Sequence, residues 1–173
     1  AMLPPMRESF EHQLPKLDVE VRLNTEATTE KVLAERADAV IVATGATPYV
    51  PDILGAQGAN VITSNDVLTG ARTGQHVVII DTQGTPPGCV VAEVLADQGK
   101  RVEIVTGLNW VGSDIPGPVW HHLYERLLGK GVVMSPMTGV SQIGEDFVDV
   151  YHVVNTSVAR TIQSVDTVVM AAG

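Results

Sequence analysis

The sequence predicts an α/β protein built on a parallel sheet, and three observations carry that prediction. First, His76 to Gly107 reads as strand, tight turn, helix and strand. Second, Ala39 to Ala43 and Val165 to Met170 are further short apolar runs of the kind that form strands buried on both faces. Third, Val140 to Ile143, Phe147 to Val154 and Val158 to Ile162 read as three strands divided by turns, a meander. Together they describe a three-layer, Rossmann-like domain whose parallel sheet is interrupted by a β-meander crossover.

The first of these carries the most information. Val77 to Ile80 is continuously apolar, and a Gly/Pro-rich turn follows it. Val90, Val91, Val94 and Leu95 then recur at helical spacing. Gly99 suits a helix C-terminus, and Val102 to Val105 returns as a second strand. A strand–helix–strand unit of about 30 residues is a βαβ crossover, the mononucleotide-binding half of a Rossmann-type domain.

The turn departs from the pattern that binds dinucleotides. Counting back from Ala92-Glu93, the three positions of G-x-G-x-x-G fall on Gln83, Thr85 and Gly88. The third position serves helix–sheet packing, and the first two serve the tight turn and the approach of a pyrophosphate. Only the third is glycine. Gly84 restores some backbone freedom, while Pro86 and Pro87 each remove an N–H that could face a phosphate. A ribose-binding acid is expected at the end of the second strand, about 20 residues on; Thr106 stands there. Asp81, before the turn, would repel a pyrophosphate. The pattern predicts a nucleotide site that has decayed or been rebuilt. An intact NAD(P) site is the rival.

Length and composition agree with a folded core. The chain has 173 residues, 45% of them hydrophobic, which suffices for one or two small domains. A net charge of −9 argues against nucleic acid and anionic membranes as partners. With one cysteine, Cys89, the chain has no internal disulfide and no four-cysteine cluster of its own. No apolar run reaches the roughly 18 residues of a membrane span, and a cytoplasmic location is the default.

The remaining elements follow in order. Ala1 to Pro5 is read as a terminal edge, with Ala1-Met2 a tag remnant. Met6 to Leu17 is expected to be a short helix broken at Pro15, and Val19 to Leu23 alternates as a strand does. Thr28 or Thr29 caps a short helix through Ala34, and the Ala39 strand runs into Thr44-Gly45-Ala46-Thr47-Pro48. No glycine-rich turn precedes Met6, so the chain reads as a piece of a larger protein. Tyr49 to Gly74 is a connector with a short helix capped by Ser64. Val119 to Leu127 forms an amphipathic helix stopped by Gly129 and Gly131, and Val132 to Met134 a short strand.

Four stretches, in this order, resemble the C-terminal part of the large old-yellow-enzyme-type NADH:flavin oxidoreductases, a family that includes the 2,4-dienoyl-CoA reductases and the trimethylamine, dimethylamine and histamine dehydrogenases. They are Val19-Glu-Val-Arg-Leu-Asn-Thr25, Ala37-Asp-Ala-Val-Ile-Val-Ala-Thr-Gly-Ala-Thr-Pro48, Ser64-Asn-Asp-Val-Leu68 and Ala92 to Thr106. The resemblance implies an N-terminal barrel carrying FMN and a 4Fe-4S cluster, absent here, as partner within the same chain. It implies that 1–48, with the final strand 165–173, is part of an FAD- or ADP-binding domain, and that 49–169 is the NAD(P)-binding-type domain. Thr44, Gly45, Gly84, Thr85, Gly88 and Thr106 become the candidate cofactor-binding residues. The altered turn is closer to the amine dehydrogenases, in which this domain resembles an NAD(P) domain without acting as one. A functional NAD(P)H-docking domain and a non-catalytic ADP-binding or docking scaffold are the alternatives.

Other residues read more plainly. Cys89, at a helix N-terminus, is read as a buried small side chain, and the adjacent His121 and His122 as surface residues. Trp110 and Trp120 are read as packing residues, and no catalytic residue or metal ligand is assigned. The Ala39 and Val165 strands are expected to end at a shared cleft, on Gly45 and Gly173. An incomplete 1–48 segment is expected to expose apolar surface and to self-associate or order poorly.

Overall fold

The structure, a computed structural model, describes residues 3–172. Ala1, Met2 and Gly173 lie outside the described residues, and with them the expected tag remnant and the closing glycine of the last strand. The chain divides into two units, 1–45 and 46–173.

The first unit is helix and extended chain. Helix α1 spans Leu3–Gln13, a 3₁₀ turn follows at Pro15–Leu17, and α2 spans Thr29–Ala34. Thr28 caps α2 by accepting the Lys31 N–H, as the sequence suggested. Arg22 bridges Glu20 and Glu35. The strands expected at 19–23 and 39–43 do not form. Their apolar residues stand in solvent, with Ile41 91% exposed. Alternation and β-branched residues give only a preference; a strand also needs a neighbour to take its N–H and C=O groups. No neighbouring strand is present among the described residues of this unit.

The second unit holds a parallel sheet of five strands in the order β1-β8-β2-β3-β4. They are β1 (Val61–Thr63), β2 (His76–Asp81), β3 (Arg101–Val105), β4 (Val133–Ser135) and β8 (Thr167–Ala171). β2 is buried along its whole length. Its side chains alternate between two apolar cores. Val77 and Ile79 face α4 (Pro86–Asp97) and α5 (Gly117–Gly129), where Val91, Leu95, Leu123 and Leu127 meet them. Val78 and Ile80 face the other way, onto a meander of β5 (Thr138–Ile143), β6 (Phe147–His152) and β7 (Ala159–Gln163). Ile143, Val148, Val150 and Ile162 complete that second core. Helices, parallel sheet and meander are the three layers. Two buried faces are why the strand sequences are continuously apolar rather than alternating.

Two polar ties hold the elements together, one within the helical layer and one between layers. Between α4 and α5, Glu93 accepts from Arg126 at 2.7 Å and from Lys130 at 2.9 Å. Between sheet and meander, Glu103 of β3 is nearly buried and accepts from Ser135 of β4 at 2.6 Å and from Arg160 of β7.

Three sequence expectations change. The final strand, expected beside the 1–48 segment, lies in the second unit, between β1 and β2. Val168 pairs with Val61 and Val78, so its hydrogen-bonding partners are all of 46–173. The connector 49–74 contains β1, whose three residues are too few to show a period. Helix α3 (Ser64–Leu68) is capped by Thr63, not Ser64: Thr63 and Asp66 exchange hydrogen bonds in a capping box.

Candidate functional site

Ligands of open α/β sheets bind outside the carboxyl ends of the strands, where the strand order reverses. Here the chain leaves β2 toward β3 and β4, whereas β8 and β1 lie on the other side. The crevice is therefore between the ends of β2 and β8, and the turn 82–85 forms one wall.

The turn is folded around a carboxylate of its own. Asp81, the last residue of β2, is 1% exposed. Its Oδ1 accepts the N–H of Gln83 at 3.1 Å and of Gly84 at 2.8 Å. Its Oδ2 is buried without a hydrogen-bond partner. Burial pushes the Asp81 carboxyl above the ordinary carboxylate range, against the opposing pull of the Gly84 and Gln83 N–H groups. The Asp81 carboxyl thus takes two donors of the turn for itself.

Gly84 is a glycine for two reasons. Its φ is +69°, and a Cβ there would lie 2.3 Å from Ser113 Oγ. Its carbonyl accepts the Asp114 N–H at 3.0 Å. Both of its backbone polar groups are thus used inside the protein, and the residue is buried. The loop after β3 closes directly on it.

Helix α4 begins at Pro86, with Thr85 as N-cap and proline at the first two positions. Proline is tolerated there because the first N–H groups of a helix have no partner within it. Those same N–H groups would greet a phosphate, and two are missing. The Thr85 side chain makes no capping hydrogen bond. Gly88 brings the helix onto the sheet: a Cβ there would lie 3.4 Å from Asp81 Cβ and 3.5 Å from Ala171 Cβ. That is ordinary contact, so one methyl group fits and a larger side chain does not. Cys89 is fully buried, and its thiol is pushed up to about 12 by that burial and, secondarily, by the Asp81 carboxylate. It is a packing residue, inert as a nucleophile.

The structure brings together four of the six candidate residues. Gly84, Thr85 and Gly88 belong to the turn and the start of α4, and Thr106 follows β3. Thr106 is 1% exposed and its hydroxyl accepts the Leu108 N–H at 3.3 Å, so it stabilises the chain reversal rather than facing solvent. Thr44 and Gly45 belong to the other unit. Gly45 adopts φ +79°, but no strand ends there. The cleft expected to be shared by two strand ends therefore has one strand, β8. His121 and His122 are exposed, as read. Trp120 packs on Tyr124 with ring centroids 4.2 Å apart, and both donate to the Val111 carbonyl. Trp110, expected to pack, is 47% exposed because its loop carries it outward.

A second feature escaped the sequence. A hollow of about 220 Å³ opens in the crevice, lined by Thr47, Ser64, Asn65, Gln83, Thr85 and Ala171 among others. Its walls come from four separate stretches of chain, and no spacing rule connects them.

The sequence matches the pyridine nucleotide-disulphide oxidoreductase family over residues 10–173. The chain belongs to that family. Members of it share this Rossmann-like architecture, and its relatives are oxidoreductases. Cinnamate reductase of Clostridium sporogenes is 32% identical over 165 residues, covering 95% of this chain and 24% of the reductase. N,N-dimethylglycine/sarcosine dehydrogenase of Chromohalobacter salexigens is 31% identical over 133 residues, covering 73% and 19%. Among solved structures, 2-naphthoyl-CoA reductase superposes with a TM-score of 0.80 at 26% identity, over 95% of this chain and 24% of that one. The chain thus spans a quarter or less of the length of these relatives.

Proposed function

We propose that the 46–173 unit is the nucleotide-binding-type domain of a multidomain flavin oxidoreductase in which this domain no longer holds NAD(P) tightly. The observation that carries the reading is the turn after β2. Asp81 takes the N–H groups of Gln83 and Gly84 at 3.1 and 2.8 Å, and Pro86 and Pro87 supply none. A dinucleotide pyrophosphate would meet an acidic side chain that already holds the turn's N–H groups, and few free donors. The residues present do not fit that group.

The wider assignment rests on the resemblance and the relatives. In it the reducing chemistry belongs to FMN and a 4Fe-4S cluster on a barrel domain of a longer, cytoplasmic protein, with FAD or ADP on the domain to which 1–45 would contribute. The 173-residue chain alone carries no catalysis. The acidic surface supports the absence of nucleic-acid and membrane partners, and no helix among the described residues is long and apolar enough to cross a membrane.

Titration calorimetry of the chain with NADH and NADPH tests the reading. Heats indistinguishable from dilution are expected for both. A micromolar dissociation constant for either would sink it and favour a working NAD(P)H-docking domain, as in a dienoyl-CoA-reductase-like enzyme.

A further inference from the structure

The hollow between β8, the start of α3 and the turn after β2 is lined without a single charged side chain. Thr47, Ser64, Asn65, Gln83 and Thr85 offer hydroxyls and amides, each able to donate and to accept. Thr85 stands at the N-cap of α4 but spends its hydroxyl on no cap. Pro87 and Ala171 supply apolar wall. At about 220 Å³ the space is smaller than the roughly 300–1,000 Å³ of drug-sized sites, which suits a ligand of one ring.

The surroundings set the sign of what can enter. Asp81 pairs in register with Ala171, so its buried carboxylate lies beside the apolar wall of the hollow. Its Oδ2 has no hydrogen-bond partner, so no donor or cation stands ready there to receive a second anionic group. The two prolines remove the helix N–H groups that would draw an anion. A phosphate or carboxylate therefore gains little at this place, whereas a neutral molecule with paired donors and acceptors meets matching groups.

We infer that this hollow is a binding site for a small uncharged molecule bearing a carboxamide or neighbouring hydroxyls, and that it selects against the anionic counterparts of the same size. The inference rests on the reading that the crevice rejects dinucleotides and adds what it accepts instead.

Two matched pairs of probes test it on the full chain: nicotinamide against nicotinate, and ribose against ribose 5-phosphate. Amide resonances of Asn65, Gln83 and Thr85 are followed by heteronuclear NMR. At least one neutral probe is expected to shift them saturably in the millimolar range, with its anionic counterpart at least tenfold weaker. Thr85→Val, which removes a hydroxyl that caps nothing, should weaken the neutral probe severalfold at an unchanged melting temperature. Asn65→Ala provides a second variant should Thr85→Val fold poorly. The inference is overturned if neither neutral probe shifts these amides, if the anionic partner binds equally well, or if both variants bind as the parent does. NADH is run in parallel. Tight NADH binding would contradict the functional reading, whereas silence from the neutral probes contradicts this site alone.

Discussion

Gly84 and Gly88, four residues apart, show how residue-level demands differ at one turn. Gly84 needs its missing side chain twice over, for φ +69° and for Ser113 at 2.3 Å from a would-be Cβ. Gly88 needs it less, since its nearest would-be contacts begin at 3.4 Å. Gly84→Ala is therefore expected to cost about 1–3 kcal/mol or more from the left-handed conformation and the clash together. Gly88→Ala should stay within about 1 kcal/mol, while Gly88→Val, whose extra methyls press on Asp81 and Ala171, should cost about 1–3 kcal/mol. Thermal melts of the three variants give the order directly, and a Gly88→Val midpoint equal to the parent's would contradict the packing role. The packing glycine was legible in the sequence because its place in the first turn of the helix follows a fixed spacing. That Asp81 satisfies the turn was not: an acid at a strand end can point to either face, and only the folded chain shows which N–H groups it meets.

Among the elements, the strands buried on both faces and the helices around them could be read from apolar runs and turn residues. The βαβ unit, the meander and helix α5 stand close to their expected places. Failures came where local preference lacked a partner. Val19 to Leu23 and Ala39 to Ala43 carry strand-like sequence and form no strand, because pairing is a property of two segments. Conversely β8 has abundant partners, and it joined the sheet that its neighbours in space, β1 and β2, provide. The α4–α5 contact also carries a pH signature. The Arg126 guanidinium beside Glu93 holds that carboxyl down to about 2, from an ordinary 4.5, with Lys130 assisting against the cost of burial. A carboxyl depressed in the folded state stabilises above its unfolded value and loses that stabilisation as pH falls through its folded one. Melting temperature should thus drop between about pH 4.5 and about pH 2 more steeply in the parent than in Glu93→Gln. Parallel curves would show that the α4–α5 ion cluster contributes nothing to stability.

For the whole molecule, two properties remain to be joined: an exposed apolar segment in 1–45 and an altered crevice in 46–173. Val40, Ile41 and Val42 are each more than half exposed in a stretch that joins no strand among the described residues, which makes it a template for pairing with another chain. Sedimentation velocity is expected to show concentration-dependent self-association that Ile41→Asp reduces; a parent chain monomeric at all concentrations would contradict this. The central claim concerns the crevice, where the family's fold is kept while the turn has turned its donors inward. Phosphorus NMR of inorganic pyrophosphate in the presence of the chain tests it most directly, since this probe needs only the turn and the helix start. The account predicts a resonance unchanged in width and position. Broadening that NADH relieves would show that the turn still cradles a pyrophosphate, and would contradict it.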